Sequence, residues 1–198
     1  MEWQTYELFW RGYFTDPLNV ASVAPDSKWC VDALLRHSGV ETADVILEFG
    51  SASGTVTRQI LARKKPSAIL VCVEMNRSFV DWLTRAITHE HCRISHQDVF
   101  DSDVGLRNLG IADHNVDCII STLPCTNIPF DRLIRDRVLP YLKPDGVFVQ
   151  YMHVLSYLRG MFPRPILEPH FQRVHSEFVG LNVPPAVVYT SGGATRER

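Results

Sequence analysis

The sequence lacks the features that mark several specialised classes of protein. It has no uninterrupted apolar run of about 18 residues, which a membrane-spanning helix needs, and its N-terminus lacks the basic segment and apolar core of a signal peptide. Its formal net charge is −2 and its pI is about 6.4, so the surface as a whole has no strong basic field. We therefore expect a cytoplasmic protein that does not have nucleic acid as a general partner.

The cysteines also lack the spacing of a metal site or of a disulfide framework. No C-x-x-C pair and no short cluster of cysteine and histidine occurs among Cys30, Cys72, Cys92, Cys118 and Cys125. Several of these residues fall inside apolar runs, which is typical of reduced thiols in the core of an intracellular protein. We expect no bound metal ion.

What the chain does have is an alternation of strand-like and helix-like segments. Its 198 residues, of which 45% are hydrophobic and 21% charged, can bury the core of one globular domain. The pattern predicts a Rossmann-like, doubly wound, seven-stranded and mostly parallel sheet with an antiparallel C-terminal edge pair, plus N-terminal helices. The predicted strands are residues 44–49, 68–74, 93–96, 116–121, 147–152, 171–179 and 186–190, with a helix at 129–138 and a turn at 143–146.

A glycine-punctuated turn follows the first predicted strand and is the most informative segment. In an open α/β sheet, such a turn leaves room for a nucleotide-type cofactor at the carboxyl end of the strand. A dinucleotide fingerprint starting at Gly50 would have glycine where this chain has Ala52 and Thr55, which weakens that interpretation. A phosphate loop needs four residues between its glycines, whereas three separate Gly50 from Gly54, which argues against ATP.

Three carboxylates accompany the ends of the first three predicted strands. Glu48, Glu74 and Asp98 should converge on one edge of the sheet, which suits a ligand with hydroxyls, an exocyclic amine and a positive charge. Structural alternatives exist, because Glu48 could be a solvated strand end and Asp98 could cap a turn. Glu74 stands at the expected offset of about 20 residues beyond the glycines and is the strongest candidate.

These motifs resemble those of the class I S-adenosylmethionine-dependent methyltransferases, and the resemblance covers nearly the whole chain. It rests on residues 48–54, Glu74, Asp98 and the strand ending Ser121-Thr-Leu-Pro124. More narrowly, residues 17–27, 142–150 and 181–189 resemble segments of the bacterial phospholipid N-methyltransferases, relatives of the ribosomal RNA adenine dimethylases.

The resemblance implies S-adenosylmethionine as cofactor and assigns residues to it. Gly50 and Gly54 would let the backbone approach the methionine moiety, with Glu48 near its ammonium group. Glu74 would accept both ribose hydroxyls, and Asp98 would receive the adenine amine. The further implied cofactor-binding residues are Ser27, Ser51, Ala52, Met75, Gln97, Val99 and Ser121.

The chain departs from the family pattern at two of its motif positions. The family turn often has glycine where this chain has Ala52, and Asp26 replaces a small polar residue before Ser27. The segment from Ser121 to Pro124 would form the rim where the methyl group meets its acceptor, although Leu123-Pro124 could merely end a strand.

Methyl transfer is an in-line displacement that requires alignment of the reactants and exclusion of water. An amine acceptor must still present a free lone pair, so a nearby base would help. The candidate catalytic residues are His153, Tyr13 and Tyr151, with His96 as a further candidate, although a single histidine is more often structural.

The N-terminal segment bears on the acceptor. Within residues 1–15, Trp3, Tyr6, Trp10 and Tyr13 fall at helical spacing. In the phospholipid enzymes that the chain resembles, a comparable helix lies on the membrane, and aromatic side chains suit that interface. Two interpretations stay open: a peripheral contact with the inner face of the membrane, and a helix that closes over a small-molecule site. We predict one domain over residues 1–198, with 1–38 as a helical lid and 39–198 as the cofactor-binding core and C-terminal strands.

The candidate functions differ in the molecule that accepts the methyl group. N-methylation of an amine such as a phosphatidylethanolamine-type head group comes first, and methylation of a small soluble metabolite comes second. A ribosomal RNA adenine dimethylase ranks third, because Ser-Thr-Leu-Pro stands where those enzymes have an Asn-x-Pro-aromatic clamp and no basic domain is appended. A non-catalytic protein with the same fold ranks last.

Overall fold

The computed structural model describes residues 27–195, and seven strands within that range form one sheet. The strands are β1 (Val45–Phe49), β2 (Ile69–Glu74), β3 (Cys92–His96), β4 (Val116–Ser121), β5 (Leu142–His153), β6 (Phe171–Val179) and β7 (Ala186–Ala194). Their order is β3-β2-β1-β4-β5-β7-β6. Strands β1 to β5 are parallel, and β7 is antiparallel to both of its neighbours, β5 and β6. The predicted sheet with its antiparallel edge pair is confirmed.

Helices connect the strands and lie on the sheet. They are α1 (Lys28–Arg36), α2 (Thr55–Arg63), α3 (Arg77–Ala86), α4 (Asp103–Asn108), α5 (Phe130–Leu133) and α6 (Pro163–Leu167). Two of them begin at side-chain caps: Ser27 Oγ accepts from the backbone N–H of Cys30 at 3.2 Å, and Asn76 Oδ1 accepts from that of Ser78 at 2.9 Å. Such caps satisfy N–H groups that have no partner inside the helix. Short 3₁₀ helices occupy Val99–Asp101 and Val154–Arg159.

The core has one apolar layer on each face of the sheet. On β1, Ile46 packs with helix α1, whereas Leu47 and Phe49 pack in the opposite layer with Phe130 and Phe148. Successive side chains of a strand point to opposite faces, so a strand covered on both faces must be apolar throughout. This requirement explains the uninterrupted apolar runs in the sequence.

Helix α1 belongs to one of these core layers. Its residues Cys30 and Leu34 are fully buried and pack in the same cluster as Val149 of β5 and Val188 of β7. The described part of the predicted lid therefore covers a face of the sheet. Residues 1–26, which include Asp26, Tyr13 and the aromatic stripe of residues 1–15, lie outside the described residues.

Two sequence predictions need correction here. The predicted turn at 143–146 lies inside β5, where Val116 pairs with Leu142 but Cys118 pairs with Val147, so that extra residues of β5 loop out as a bulge. Lys143 Nζ anchors this bulge to the carboxylate of Asp117 at 2.5 Å. The predicted helix at 129–138 starts as α5 and continues as a π-helix over Ile134–Val138.

None of the helices between residues 27 and 195 combines the length and the apolar composition that crossing a membrane would require.

Candidate active site

The site begins at the edge of the sheet where β1 to β4 end. Phe49, the last residue of β1, pairs with Val73 on one side and with Ser121 on the other, and Glu74 pairs with His96. Because these parallel strands end in register, the residues that follow them lie side by side. The structure thereby brings together the glycine turn, Glu74, the segment 97–99 and the segment 121–124, as the sequence predicts.

The glycine turn adopts a backbone conformation that side chains oppose. Gly50 has φ +81° and Gly54 has φ +80°, both in the left-handed region that favours glycine. A Cβ on Gly50 would lie 3.0 Å from Leu123 Cδ2, and one on Gly54 would lie 2.7 Å from Leu83 Cδ2. Ala52 also has a positive φ, +44°, which explains why glycine suits this position. The turn is therefore a cradle of bare backbone.

Glu74 ties this turn to the end of β2. Its buried carboxylate accepts the backbone N–H of Ala52 at 2.9 Å through Oε2, and that of Asn76 at 2.8 Å through Oε1. Burial raises the pKa of this carboxyl, and the backbone hydrogen bonds oppose the rise. A carboxylate oxygen has more than one acceptor position, so both oxygens can still accept from a ligand hydroxyl.

Glu48 lies in the interior beside the turn. It is fully buried, and its Oε2 accepts from Thr57 Oγ1 at 2.7 Å and from Cys72 Sγ at 3.3 Å. Burial raises its pKa. Its other oxygen, Oε1, has no hydrogen-bond partner within residues 27–195. Buried polar atoms of this kind are uncommon and indicate a missing partner such as a ligand amine or a water.

The residues after β3 make local contacts. Asp98 accepts the backbone N–H of Phe100 at 2.8 Å and so caps the 3₁₀ helix, which is the structural alternative foreseen for it. Gln97 accepts from Ser95 Oγ at 3.0 Å, and Val99 is buried. The predicted contacts of Gln97, Asp98 and Val99 with an adenine ring stay predictions.

Met75 and His96 complete this edge of the sheet. Met75 keeps 47% of its surface exposed, and its carbonyl lies 3.1 Å from His96 Nε2. His96 thus lies at the end of β3 and does not line the cavity that contains the other two described base candidates.

A cavity of about 260 Å³ lies beside the glycine turn. The wall between them is the segment 122–124: Thr122 Oγ1 donates to the carbonyl of Gly50 at 2.6 Å, and Leu123 packs against the same glycine. Ser121 supports this wall from a fully buried position, where its Oγ accepts the Leu123 N–H at 3.4 Å. The cavity is lined by Thr122, Leu123, Pro124, Cys125, Thr126, Asn127, Tyr151, Met152, His153, Leu155, Ser156, Arg159 and Pro184.

Tyr151 and His153 form a pair at this cavity. The Tyr151 hydroxyl lies 2.9 Å from the imidazole nitrogens, and the two rings meet edge to face with centroids 4.9 Å apart. Burial lowers the pKa of His153, and a hydrogen bond with the backbone of Pro184 opposes this shift. The imidazole is therefore neutral at neutral pH, which is the state that can accept a proton.

Asn182 contacts this pair, and it is not among the residues predicted from sequence. Its Nδ2 donates to the Tyr151 hydroxyl at 3.3 Å and to the carbonyl of Pro184 at 2.9 Å. Its Oδ1 accepts the backbone N–H of Ser27 at 2.9 Å, so Ser27 lies beside Asn182, and the predicted cofactor contact of Ser27 stays a prediction. The Tyr151 hydroxyl thus accepts from Asn182 and also contacts His153. The motif at 181–189 was the only sequence signal for this residue.

No group of three or more histidine, cysteine or acidic side chains is arranged to hold a metal ion in the part of the chain that the structure describes. The thiols of Cys72, Cys118 and Cys125 are buried in the core.

Comparisons with known proteins agree with this geometry. No family model matches the chain. Over 194 residues, the chain is 28% identical to the ornithine lipid N-methyltransferase of Singulisphaera acidiphila, with 94% of this chain and 95% of the relative covered.

Two solved structures are similar in fold. The O-methyltransferase TomG from Streptomyces achromogenes, in complex with S-adenosylmethionine, matches with a TM-score of 0.66 and 16% identity, over 96% of this chain and 89% of that chain. An O-methyltransferase from Bacillus cereus, in complex with S-adenosylhomocysteine, matches with a TM-score of 0.64 and 15% identity, over 96% and 90% respectively.

The chain has the class I fold of the S-adenosylmethionine-dependent methyltransferases. The comparisons support a methyltransferase enzyme that uses S-adenosylmethionine as its methyl donor, as predicted. The described residues fit that donor: Glu74 retains acceptor positions for ribose hydroxyls, and Glu48 Oε1 can accept from an ammonium group.

Proposed function

We propose that this protein transfers a methyl group from S-adenosylmethionine to the amine of a lipid head group. The observation that carries this proposal is the shared wall 122–124, which separates the glycine turn from the cavity of Tyr151 and His153. The relative named ornithine lipid N-methyltransferase, which matches along almost its full length, supports a lipid amine as the acceptor. Ornithine lipids and phosphatidylethanolamine-type lipids both present a primary amine.

The donor edge would hold S-adenosylmethionine with residues that the structure brings together. The backbone of Gly50, Ser51 and Ala52 approaches the methionine moiety, and Glu48 accepts from its ammonium group. Glu74 accepts from the ribose hydroxyls. When bound, S-adenosylmethionine supplies an electrophilic methyl group on a sulfonium sulfur. Asp98 receives the adenine amine, with Met75, Gln97 and Val99 around the ring and Ser121 behind the methyl-transfer wall.

On the acceptor side, the chain removes a proton and aligns the amine. A primary alkyl amine has a pKa of about 10.4, so it arrives as an ammonium ion without a lone pair. Its proton passes through the Tyr151 hydroxyl to the neutral imidazole of His153. The freed nitrogen then forms the new N–C bond as the S–C bond breaks. Displacement of water by the bound acceptor would reduce competition for the methyl group.

Exposed apolar side chains next to the cavity favour a lipid over a soluble acceptor. Leu155 lines the cavity and is 52% exposed, and Leu158 and Phe162 follow it with 84% and 54% of their surface exposed. On the other side, Leu181 and Val183 stand beside the lining residue Pro184 and are also exposed. Such exposed apolar surface is typical of interaction with a membrane or with another protein. We propose that these residues, together with residues 1–15, contact the inner face of the membrane peripherally.

A small soluble amine is the second candidate acceptor. The cavity volume of about 260 Å³ is slightly below the usual range for drug-sized ligands, roughly 300–1,000 Å³, so it accommodates a head group or a free metabolite but not acyl chains.

A methylation assay with the full-length protein separates these candidates. Labelled S-adenosylmethionine is supplied with ornithine lipid or phosphatidylethanolamine in mixed micelles, with soluble amines, or with RNA. We expect label in a lipid amine, and far less label with the Glu74→Ala variant at the same concentration of S-adenosylmethionine. Label only in soluble amines would overturn the lipid assignment, and wild-type protein without affinity for S-adenosylmethionine would overturn the donor assignment. Co-sedimentation with liposomes, with and without residues 1–15, tests the membrane contact.

A further inference from the structure

The acceptor cavity has an unusual balance of charge. Among the lining residues that lie within 27–195 there is no aspartate or glutamate, and Arg159 is the one side chain with a permanent charge. His153 in the same lining is neutral at neutral pH, since burial lowers its pKa. The described part of the lining therefore presents one fixed positive charge and no acidic side chain.

Arg159 also differs from its neighbouring arginines. Arg164 forms an ion pair with Glu168 at 3.0 Å, and Arg132 forms one with Asp136 at 3.1 Å. Within residues 27–195, Arg159 forms no ion pair. It ends the 3₁₀ helix Val154–Arg159 and is followed by Gly160, whose φ of +77° turns the chain away. Arg159 is exposed and lines the cavity, so it is available to a ligand.

A fixed positive charge discriminates among amine acceptors. A simple alkyl ammonium ion would meet like-charge repulsion in this cavity, whereas an acceptor that carries its own anion would be attracted. We propose that Arg159 binds the anionic group of a zwitterionic acceptor, while Tyr151 and His153 receive its amine. This inference rests on the proposed function and narrows its substrate class to amines with a carboxylate or phosphate a few bonds away.

The chemistry of the site matches such an acceptor. A guanidinium binds a carboxylate or a phosphate with two parallel hydrogen bonds, which orients the ligand as well as holding it. An ornithine head group that is acylated on its α-nitrogen keeps one amine and one carboxylate, and phosphoethanolamine has one amine and one phosphate. Both groups of either ligand can be held in one cavity, with Thr126, Asn127 and Ser156 as neutral polar lining. Anchoring the anion leaves the amine at the Tyr151–His153 pair.

The test compares acceptors that differ only in the anion. The full-length wild type and the variants Arg159→Gln, Arg159→Lys and Arg164→Gln are assayed with ornithine lipid and with its carboxyl methyl ester in mixed micelles. Two soluble pairs are included: an Nα-acyl ornithine and its methyl ester, and phosphoethanolamine and ethanolamine. The readouts are kcat and KM for each acceptor, with binding of S-adenosylhomocysteine as the measure of an intact donor site.

We expect the wild type and Arg164→Gln to prefer the anionic member of a pair. Loss of a hydrogen bond to a charged group corresponds to a rise in KM of about 10- to 100-fold, which we expect for Arg159→Gln on that member only. Arg159→Lys keeps the charge without the bidentate geometry and should lose less. Equal acceptor ratios in wild type and Arg159→Gln would overturn this inference while lipid methylation stands. If only soluble amines were methylated, and with a preference for the anionic member, the role of Arg159 would be supported and the lipid acceptor would be overturned. Activity on no acceptor would overturn both the role of Arg159 and the lipid acceptor.

Discussion

The donor edge and the acceptor cavity share a wall but are built in different ways. At the donor edge, one glycine turn and the ends of neighbouring strands are joined mainly through backbone groups, as when Glu74 accepts two backbone N–H groups. At the acceptor cavity, side chains join distant parts of the chain: Asn182 reaches Tyr151 across 31 positions and Ser27 across 155. A site built on local backbone shows in a sequence motif, whereas a site built on distant side chains does not.

The substitution Glu74→Ala should have the largest effect on the donor edge. It removes a charged acceptor for the ribose hydroxyls and leaves two backbone N–H groups unsatisfied, each loss costing about 1–3 kcal/mol. We expect the affinity for S-adenosylmethionine to fall about 100-fold or more in a calorimetric titration. Glu168→Ala, at an exposed ion pair of α6, is the control. An unchanged Kd in a folded variant would contradict the assignment of Glu74.

The substitution His153→Gln is the matching test of the acceptor cavity. General bases typically contribute about 10²–10⁴-fold, and we expect a loss of about a hundredfold in kcat with little change in donor binding. Because burial lowers the pKa of His153, wild-type activity should fall only as the pH drops below about 6.5, and this acid limb should vanish in the variant.

The lowered pKa of His153 also makes the free energy of unfolding depend on pH. The contribution from neutral His153 is present above its unfolded pKa, about 6.5, and is lost as the pH falls through its lower folded pKa. His175→Gln, at an exposed position of β6, is the control for both measurements. A kcat and a pH profile identical to those of wild type would reject the role of His153 as base.

Gly54→Ala tests whether the turn needs bare backbone. The variant places a Cβ 2.7 Å from Leu83 Cδ2 and forces alanine to φ +80°, so we expect the free energy of unfolding to fall by about 2–3 kcal/mol. Gly39→Ala is the matched control, because Gly39 has φ +75° with no heavy atom within 4 Å of the added Cβ. It should lose only about 1 kcal/mol, the cost of the backbone conformation. Equal losses in thermal unfolding would show that the contact with Leu83 is unimportant.

Asn182→Ala should affect the acceptor cavity more weakly than His153→Gln. The variant removes the amide that donates to the Tyr151 hydroxyl, and loss of one neutral hydrogen bond of about 1 kcal/mol predicts a kcat roughly five- to tenfold lower. We expect the acid limb of the pH profile to remain, since His153 is still present. A variant that lost stability but kept its kcat would show that Asn182 is structural only. Asn108→Ala, at the exposed end of α4, is the control.

Ala52→Gly should have the smallest effect, and in the opposite direction. Glycine relieves the left-handed strain of about 1–2 kcal/mol at φ +44° but adds about 0.5–1 kcal/mol of unfolded-chain entropy. We expect the free energy of unfolding to rise by up to about 1 kcal/mol in a denaturant titration. Ala62→Gly, at an exposed position of α2, should lower it by a similar amount. A lower free energy of unfolding in Ala52→Gly would contradict the inference that the backbone of Ala52 is strained.

The sheet was predictable from sequence because its strands are covered on both faces. The run 116–121 is apolar enough to mark β4 with its observed bounds, and the terminal pair begins at the predicted residues 171 and 186. The turn predicted at 143–146 failed for a physical reason. Its Pro-Asp-Gly signal marks a bulge: Leu142 pairs with β4 before it, and Val147 pairs with β4 and β7 after it, so the chain stays in the sheet on both sides of the bulge.

By itself, the sequence determined the donor edge. Glycines at fixed spacing and an acidic residue at the end of β2 impose their geometry through the backbone over a few residues, and strand register then brings the strand ends together. Only the tertiary structure decided the acceptor cavity. Tyr151, His153, Asn182 and Arg159 meet because β5, β7 and their connections pack together, and no local pattern encodes which side chains such packing brings within hydrogen-bonding distance.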